Sequence, residues 1–236
     1  MDFFSIFHSL GSPIMKRLLL VTSGLLVAST AQAQLGVRAG GNLLHTTTSS
    51  SFVSTRSGVG YQVGVYYQQP LTKRLSLVPE VQFSREQAKV HLDNYALIYE
   101  RPVSSEYRLH LSYLNVPVLL RVALGPLYLE AGPQISLLMG GYGRGYTGIL
   151  VSGTTTTTTL NADQAATDRF RRFNAGACVG VGLKLPAGLG LNVRAYQGFV
   201  PLEREYAYQE NGLPALGTNQ YRQTLQTSLT YQLHGG

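Results

Sequence analysis

From Gln34 onward, apolar and polar residues alternate with a period of two, the spacing that sends successive side chains to opposite faces of a β-strand. Helical periodicity is not persuasive anywhere in this part of the chain. The first alternating segment, Leu35 to His45, sets Leu35, Val37 and Ala39 against Gly36, Arg38, Gly40 and Asn42. Gly58 to Gln68 sets valines and tyrosines (Val59, Tyr61, Val63, Val65, Tyr67) against Gly60, Gln62, Gly64 and Tyr66. Arg74 to Arg85 sets Leu75, Leu77, Val81 and Phe83 against Ser76, Glu80, Gln82 and Ser84, and Pro79 within it predicts an irregular ladder. Tyr107 to Val122 changes parity: Leu109 and Leu111 are out of step with Leu114, Val116, Val118 and Leu120, which predicts a bulge near Ser112.

Four more segments follow. Leu127 to Met139 sets Leu129, Ala131, Ile135 and Leu137 against Tyr128, Glu130, Gly132, Gln134 and Ser136. Arg172 to Leu185 alternates most regularly, with Phe173, Val179, Val181 and Leu183 against Asn174, Gly176, Cys178, Gly180, Gly182 and Lys184. Leu189 to Gln197 sets Leu191 and Val193 against Asn192, Arg194 and Tyr196, and Tyr221 to Leu233 sets Leu225, Leu229 and Tyr231 against Gln226, Ser228 and Thr230. Eight strands are expected.

The connections alternate as regularly as the residues. Short turns rich in Pro and Gly follow the second, fourth and sixth segments, at Gln69 to Lys73, Leu124 to Pro126 and Pro186 to Gly188. Long polar stretches follow the others, the longest from Gly140 to Arg171 with six threonines at Thr154 to Thr159. An even number of strands with short turns at one rim and long loops at the other fits an all-β, eight-stranded, antiparallel up-and-down transmembrane β-barrel, its turns periplasmic and its loops extracellular. Closure pairs every backbone N–H and C=O, which an open sheet edge in lipid cannot do.

Alternation alone leaves open which face is outside, and volume decides it. Eight strands enclose a space just wide enough for side chains to fill, and the polar parity is the one studded with glycine. The small and polar residues are therefore expected inside, and Leu, Val, Ala and Phe against hydrocarbon, with Tyr61, Tyr67 and Tyr231 at the interfaces. Arg38, Glu80, Arg121, Glu130, Lys184 and Arg194 then share a narrow, poorly solvated lumen, where they are expected to form hydrogen-bonded ion pairs. A ring of such residues also suits the lining of a narrow pore for small solutes, but filling of the core is the reading a barrel this small favours.

Composition supports a membrane address. Of 236 residues only 13% are charged while 44% are hydrophobic, so apolar side chains need a place other than an ordinary soluble surface. Beyond the N-terminal segment no apolar run approaches the ~20 residues of a spanning helix. Met15 to Ala33 reads as a signal peptide: Lys16 and Arg17, an apolar stretch Leu18 to Ala28, and Ala31-Gln32-Ala33 as the cleavage site. The expected divisions are residues 1–14 as an unused upstream start, 15–33 as the signal and 34–236 as one barrel domain in the bacterial outer membrane. The net charge of +7 is spread along the chain without the basic and aromatic clustering of a nucleic-acid groove. A lone cysteine, Cys178, forms no intramolecular disulfide.

With the strands placed, three stretches resemble the PorT-like family of outer-membrane β-barrel proteins. They are Gly36-Val37-Arg38-Ala39-Gly40-Gly41-Asn42, Tyr113-Leu114-Asn115-Val116-Pro117-Val118-Leu119-Leu120 and Tyr128-Leu129-Glu130-Ala131-Gly132-Pro133. Gly176, Gly180 and Gly182 followed by Arg194-Ala195-Tyr196 are similar to it too. The resemblance implies an eight-stranded barrel and an outer-membrane address, with no activity carried over.

Candidate chemistry is sparse. Gly143-Arg144-Gly145-Tyr146-Thr147-Gly148 matches a dinucleotide-binding pattern, but no βαβ unit surrounds it. His110-Leu111-Ser112 resembles the H-x-S of outer-membrane lipid A deacylases, yet no acid partner is identifiable to complete a triad. His45, His91 and His234 are isolated, so neither a metal nor a cofactor is expected. Arg169, Arg171 and Arg172, at the outer end of the sixth segment, are candidates to contact lipopolysaccharide phosphate. The expected function is structural, or an interaction with a protein or ligand through the external loops, without catalysis. A lipid A-modifying hydrolase is the alternative in another class, and a soluble lipocalin-like barrel with its apolar face inward is a third.

Overall fold

The computed structural model describes residues 34–46, 53–98, 101–151, 154–162, 170–202 and 220–233. Nine strands appear in chain order: β1 (Gln34–Thr46), β2 (Val53–Pro70), β3 (Leu75–Ile98), β4 (Arg101–Leu124), β5 (Leu127–Val151), β6 (Thr154–Ala162), β7 (Phe173–Lys184), β8 (Leu189–Pro201) and β9 (Tyr221–Gln232). All pairings are antiparallel. They run β4-β3-β2-β1-β9-β8-β7-β5, and pairing of β4 with β5 closes the ring, so eight strands form a closed barrel. Among the described residues β6 stands outside that ring, paired only with the outer half of β5.

On the membrane-spanning part of every barrel strand the predicted parity holds. Val59, Val63, Val81, Leu129, Ile135, Val181 and Leu229 are exposed, whereas Arg38, Gln62, Glu80, Gln134 and Arg194 are buried. Val179 keeps 58% of its surface exposed while its neighbour Cys178 keeps 1%. Such an exterior is unstable in water and suited to hydrocarbon.

Turns at one end are tight for local reasons. Thr72 Oγ1 accepts the amides of Arg74 and Leu75 between β2 and β3. Gly125, at φ 70°, opens the two-residue turn into β5, a position where a side chain would be strained. The chain also enters and leaves here, with the Leu233 amide donating to the Leu35 carbonyl at 2.8 Å. This is the short-turn end, the end that in outer-membrane barrels faces the periplasm.

Three expectations need correction. The strands outrun the alternating segments at the other end: β3, β4 and β5 reach 24, 24 and 25 residues. The stretch from Gly140 therefore continues as strand, and Thr154 to Thr159 belong to β6 instead of a loop. The dinucleotide-like glycine pattern is likewise strand, paired on both sides. Threonine is a good strand former once a hairpin partner supplies the hydrogen bonds.

Pro79 interrupts the ladders as expected: pairing with β4 skips Glu80 and Val81 and pairing with β2 skips Val78 and Pro79, although the register is the same on either side of each gap. The bulge near Ser112 exists, but the extra residue is Met139 on β5, since Ser112 pairs Gly140 and Tyr113 pairs Leu138. Parity on β4 is thus unbroken. Leu109 and Leu111 point inward and His110 and Ser112 outward, the reverse of what a bulge in β4 would give.

Candidate functional site: the barrel interior

Each inward side chain reaches the axis from a different strand, so the barrel stacks polar groups in tiers. In the tier nearer the periplasm, Arg38 from β1 donates through Nη1 to both carboxylate oxygens of Glu80 on β3, at 2.7 and 2.9 Å. Arg194 from β8 donates to Glu130 on β5 at 2.7 Å and to Glu80 at 3.3 Å. Arg121 from β4 reaches the other oxygen of Glu130 at 2.9 Å and Gln68 at 2.9 Å. Asn192 joins the pairs, accepting from Arg38 at 2.7 Å and donating to Glu130 at 3.0 Å. Three guanidinium groups thus share two carboxylates.

Tyrosines floor this tier. The Arg121 guanidinium lies 4.2 Å from the ring centre of Tyr128 and 5.6 Å from that of Tyr66, within cation–π range. Their rings lie where side chains of Gly182 and Gly36 would otherwise stand, because a Cβ at either glycine would fall within 2.2 Å of the tyrosine. The glycine parity is the space the aromatic rings need.

A second tier lies toward the extracellular end. Arg222 from β9 forks onto Glu86 of β3, and its Nη1 donates to Ser136 at 2.9 Å. The guanidinium sits 4.0 Å from the Tyr113 ring centre and 4.9 Å from that of Tyr196. Asn115, Ser84 and Gln134 complete the mesh, and Cys178 donates its thiol to Gln134 at 3.1 Å. Beyond it Leu44, Ala88, Leu109, Leu111, Leu138, Phe170 and Leu202 form an apolar cap.

Of the six residues expected in the lumen, the structure brings five together: Arg38, Glu80, Arg121, Glu130 and Arg194. Lys184 is the exception. It is the last residue of β7, exposed at the periplasmic rim, and forms no ion pair among the described residues. Correct parity does not bury a side chain at the end of a strand. Glu86 and Arg222 lie outside the expected set: Glu86 is one residue past the third alternating segment, and Arg222 is the second residue of the last, before its apolar alternation begins. Extending the period-two rule inward from Glu80 and Gln226 finds both.

At the outer rim, Arg169 lies outside the described residues. Arg171 and Arg172 are exposed, and their backbones are tied to neighbouring strands: the Arg171 amide donates to Leu202 and the Arg172 carbonyl accepts from Leu138. His110 stacks on Tyr142 on the outer wall, ring centres 4.6 Å apart. The signal-peptide segment also lies outside the described residues.

A closed eight-stranded ring with an aliphatic exterior and a polar, paired interior defines a small porin-like membrane protein of the bacterial outer membrane. The family model for the outer membrane protein beta-barrel domain matches residues 28–203, and the chain belongs to that family. Among solved structures, it is similar to neisserial surface protein A, at 12% identity and a TM-score of 0.42 over 85% of this chain and 99% of that one. OprG of Pseudomonas aeruginosa is similar at 9% identity and a TM-score of 0.42, over 86% and 97%. Ail, the attachment invasion locus protein of Yersinia pestis, is similar at 6% identity and a TM-score of 0.41, over 85% and 99%. No curated protein sequence matches the chain.

Proposed function

We propose that this chain is a non-catalytic outer-membrane barrel whose role is structural or an interaction made through its extracellular connections. Within the outer-membrane barrel family we place it with the PorT-like members, on the motifs at Gly36 to Asn42, Tyr113 to Leu120 and Tyr128 to Pro133. The observation that carries the reading is the filled interior. Two tiers of ion pairs and an apolar cap occupy the space a channel or a substrate would need, and Arg194, Arg222, Tyr113 and Leu111 are fully buried there.

His110 and Ser112 support the same reading. Their side chains leave the wall on the lipid side, and His110 Nδ1 has no hydrogen-bond partner among the described residues. A serine nucleophile needs an imidazole within hydrogen-bond reach and a group to orient it. Outer-membrane lipid is the first partner, with Arg171 and Arg172 at the rim suited to lipopolysaccharide phosphate; a protein or ligand at the loops is the second.

Two assays test this on the purified, reconstituted chain. Planar-bilayer recordings are expected to show no steady openings, and a lipid A deacylation assay no difference between the native chain and Ser112→Ala. Discrete sustained conductance, or turnover that depends on the serine, overturns the proposal.

A further inference from the structure

The outer wall of β3, β4 and β5 changes character at one height. Phe83, Leu114 and Leu137, aligned across the three strands, are the last apolar rung. Arg85 faces outward opposite Ser112 one rung higher, then come Gln87, His110 and Tyr142 in line, and then Lys89, Arg108 and Arg144 in line. These last three cations are all exposed. On the rungs from Arg85 to Arg144 no carboxylate is present: Glu80, Glu86 and Glu130 point into the lumen, and Glu106 of β4 is paired one rung further out, with His91 and Tyr146.

Like charges directly opposite each other across a ladder repel and weaken it. Three in a row outnumber the one carboxylate on the next rung, Glu106, and favour an external counter-charge. Depth says which kind. At ~3.3 Å per residue and a tilt of ~40°, Leu114 to Val122 covers roughly 20 Å of the ~25 Å apolar band. Arg85 then stands at the hydrocarbon boundary, and Lys89, Arg108 and Arg144 at the level of the outer-leaflet headgroups.

The aromatic rung shapes the floor of this patch. His110 stacks on Tyr142 at an interplanar angle of 19°, and Arg85 donates to the Tyr142 hydroxyl with its guanidinium 5.3 Å from the ring centre. Arg85, Arg108 and Arg144 surround His110 closely enough to act on it electrostatically. Below lies an acyl-chain surface, above it a fork of guanidinium groups suited to bidentate phosphate contacts.

We propose that this outward patch, Arg85, Lys89, Arg108 and Arg144 around the His110–Tyr142 stack, binds a lipid of the outer leaflet whose headgroup carries phosphate. Arg171 and Arg172 are not part of this patch, and the proposal rests on the membrane placement of the barrel, not on its lack of catalysis. Acyl chains lie along Leu114 and Leu137 while the phosphate oxygens accept from Arg108 and Arg144.

The test uses the full chain folded in zwitterionic micelles. Retention of lipid A, of its dephosphorylated form and of inorganic phosphate is measured by native mass spectrometry, and the heat-modifiable gel shift reports that the barrel is folded. The native chain is expected to hold lipid A about tenfold more tightly than the dephosphorylated form. The doubly substituted chain, Arg108→Gln with Arg144→Gln, is expected to lose that preference while remaining folded, and Arg171→Gln with Arg172→Gln to keep it. If the double variant fails to fold, Lys89→Gln alone is expected to reduce the preference. Equal retention of both lipid forms, an unchanged preference in the folded patch variants, or loss of it only in the rim variant overturns the proposal. Displacement of lipid A by millimolar inorganic phosphate assigns the contacts to free phosphate and overturns the lipid assignment. None of these outcomes touches the proposed non-catalytic role, which the conductance and deacylation assays decide.

Discussion

Glu130 shows how much rests on single residues. Its two oxygens accept from Arg121, Arg194 and Asn192 inside a wall that excludes water. Burying charges is costly, and removing one partner of a buried set leaves the others uncompensated, at about 3–5 kcal/mol. Glu130→Gln is therefore expected to lower stability by about that amount in urea unfolding from lipid vesicles, while Lys184→Gln changes it by less than about 0.5 kcal/mol. Equal effects of the two would deny the network its role. Most of this network was legible from parity, because a charged residue in a lipid-spanning strand has only the lumen to face. The sequence could not show which pairs form, since partners such as Arg194 and Glu80 are set by barrel closure and not by local spacing. It also could not show that Lys184 sits on the rim, which depends on where β7 ends.

At the scale of the strand, backbone spacing and cap packing matter most. A Cβ on Gly132 would fall 2.1 Å from the Val118 carbonyl oxygen, a backbone atom that cannot turn aside as a side chain can. Gly132→Ala is expected to cost about 1–3 kcal/mol by forcing β4 and β5 apart. The same experiment with Ala131→Gly, on the lipid side, should cost less; the reverse order would contradict the close approach. Leu111 is fully buried in the apolar cap. Leu111→Ala is expected to lose about 2–5 kcal/mol in the same unfolding assay, whereas a lipid-facing Leu111 would tolerate the change.

That cap was the part least legible in the sequence. Out-of-step leucines on β4 mean either a bulge that turns them to lipid or an apolar patch in the lumen. Alternation within one strand cannot separate these, because the bulged residue, Met139, is on the neighbouring strand. Strand ends were hidden for a related reason. Past the apolar band the outer face of β3 is polar at Arg85, Gln87 and Lys89, so its alternation fades at Arg85 although the β3–β4 hairpin continues to Ile98.

For the whole molecule, lipid supplies the solvent for one parity and the barrel itself for the other. Inside the ring, small residues, apolar side chains and ion pairs across the axis fill the space, and the described lumen carries four arginines against three glutamates. The strand count, the short-turn end and the inside-outside assignment were all legible, since each follows from residue period and connection length. Which strands pair to close the ring was legible only as a consequence of membrane chemistry.

The lipid-facing parity itself is most directly measured on β7. In a Cys178→Ser background, which preserves a donor to Gln134, single cysteines from Phe173 to Leu183 carry a fluorophore in vesicles containing brominated lipid. Quenching is predicted to alternate residue by residue, strong at Phe173, Val179, Val181 and Leu183 and weak at Asn174, Gly180 and Gly182. Strong quenching at the second set with weak quenching at the first, or a period near 3.6, would contradict the account.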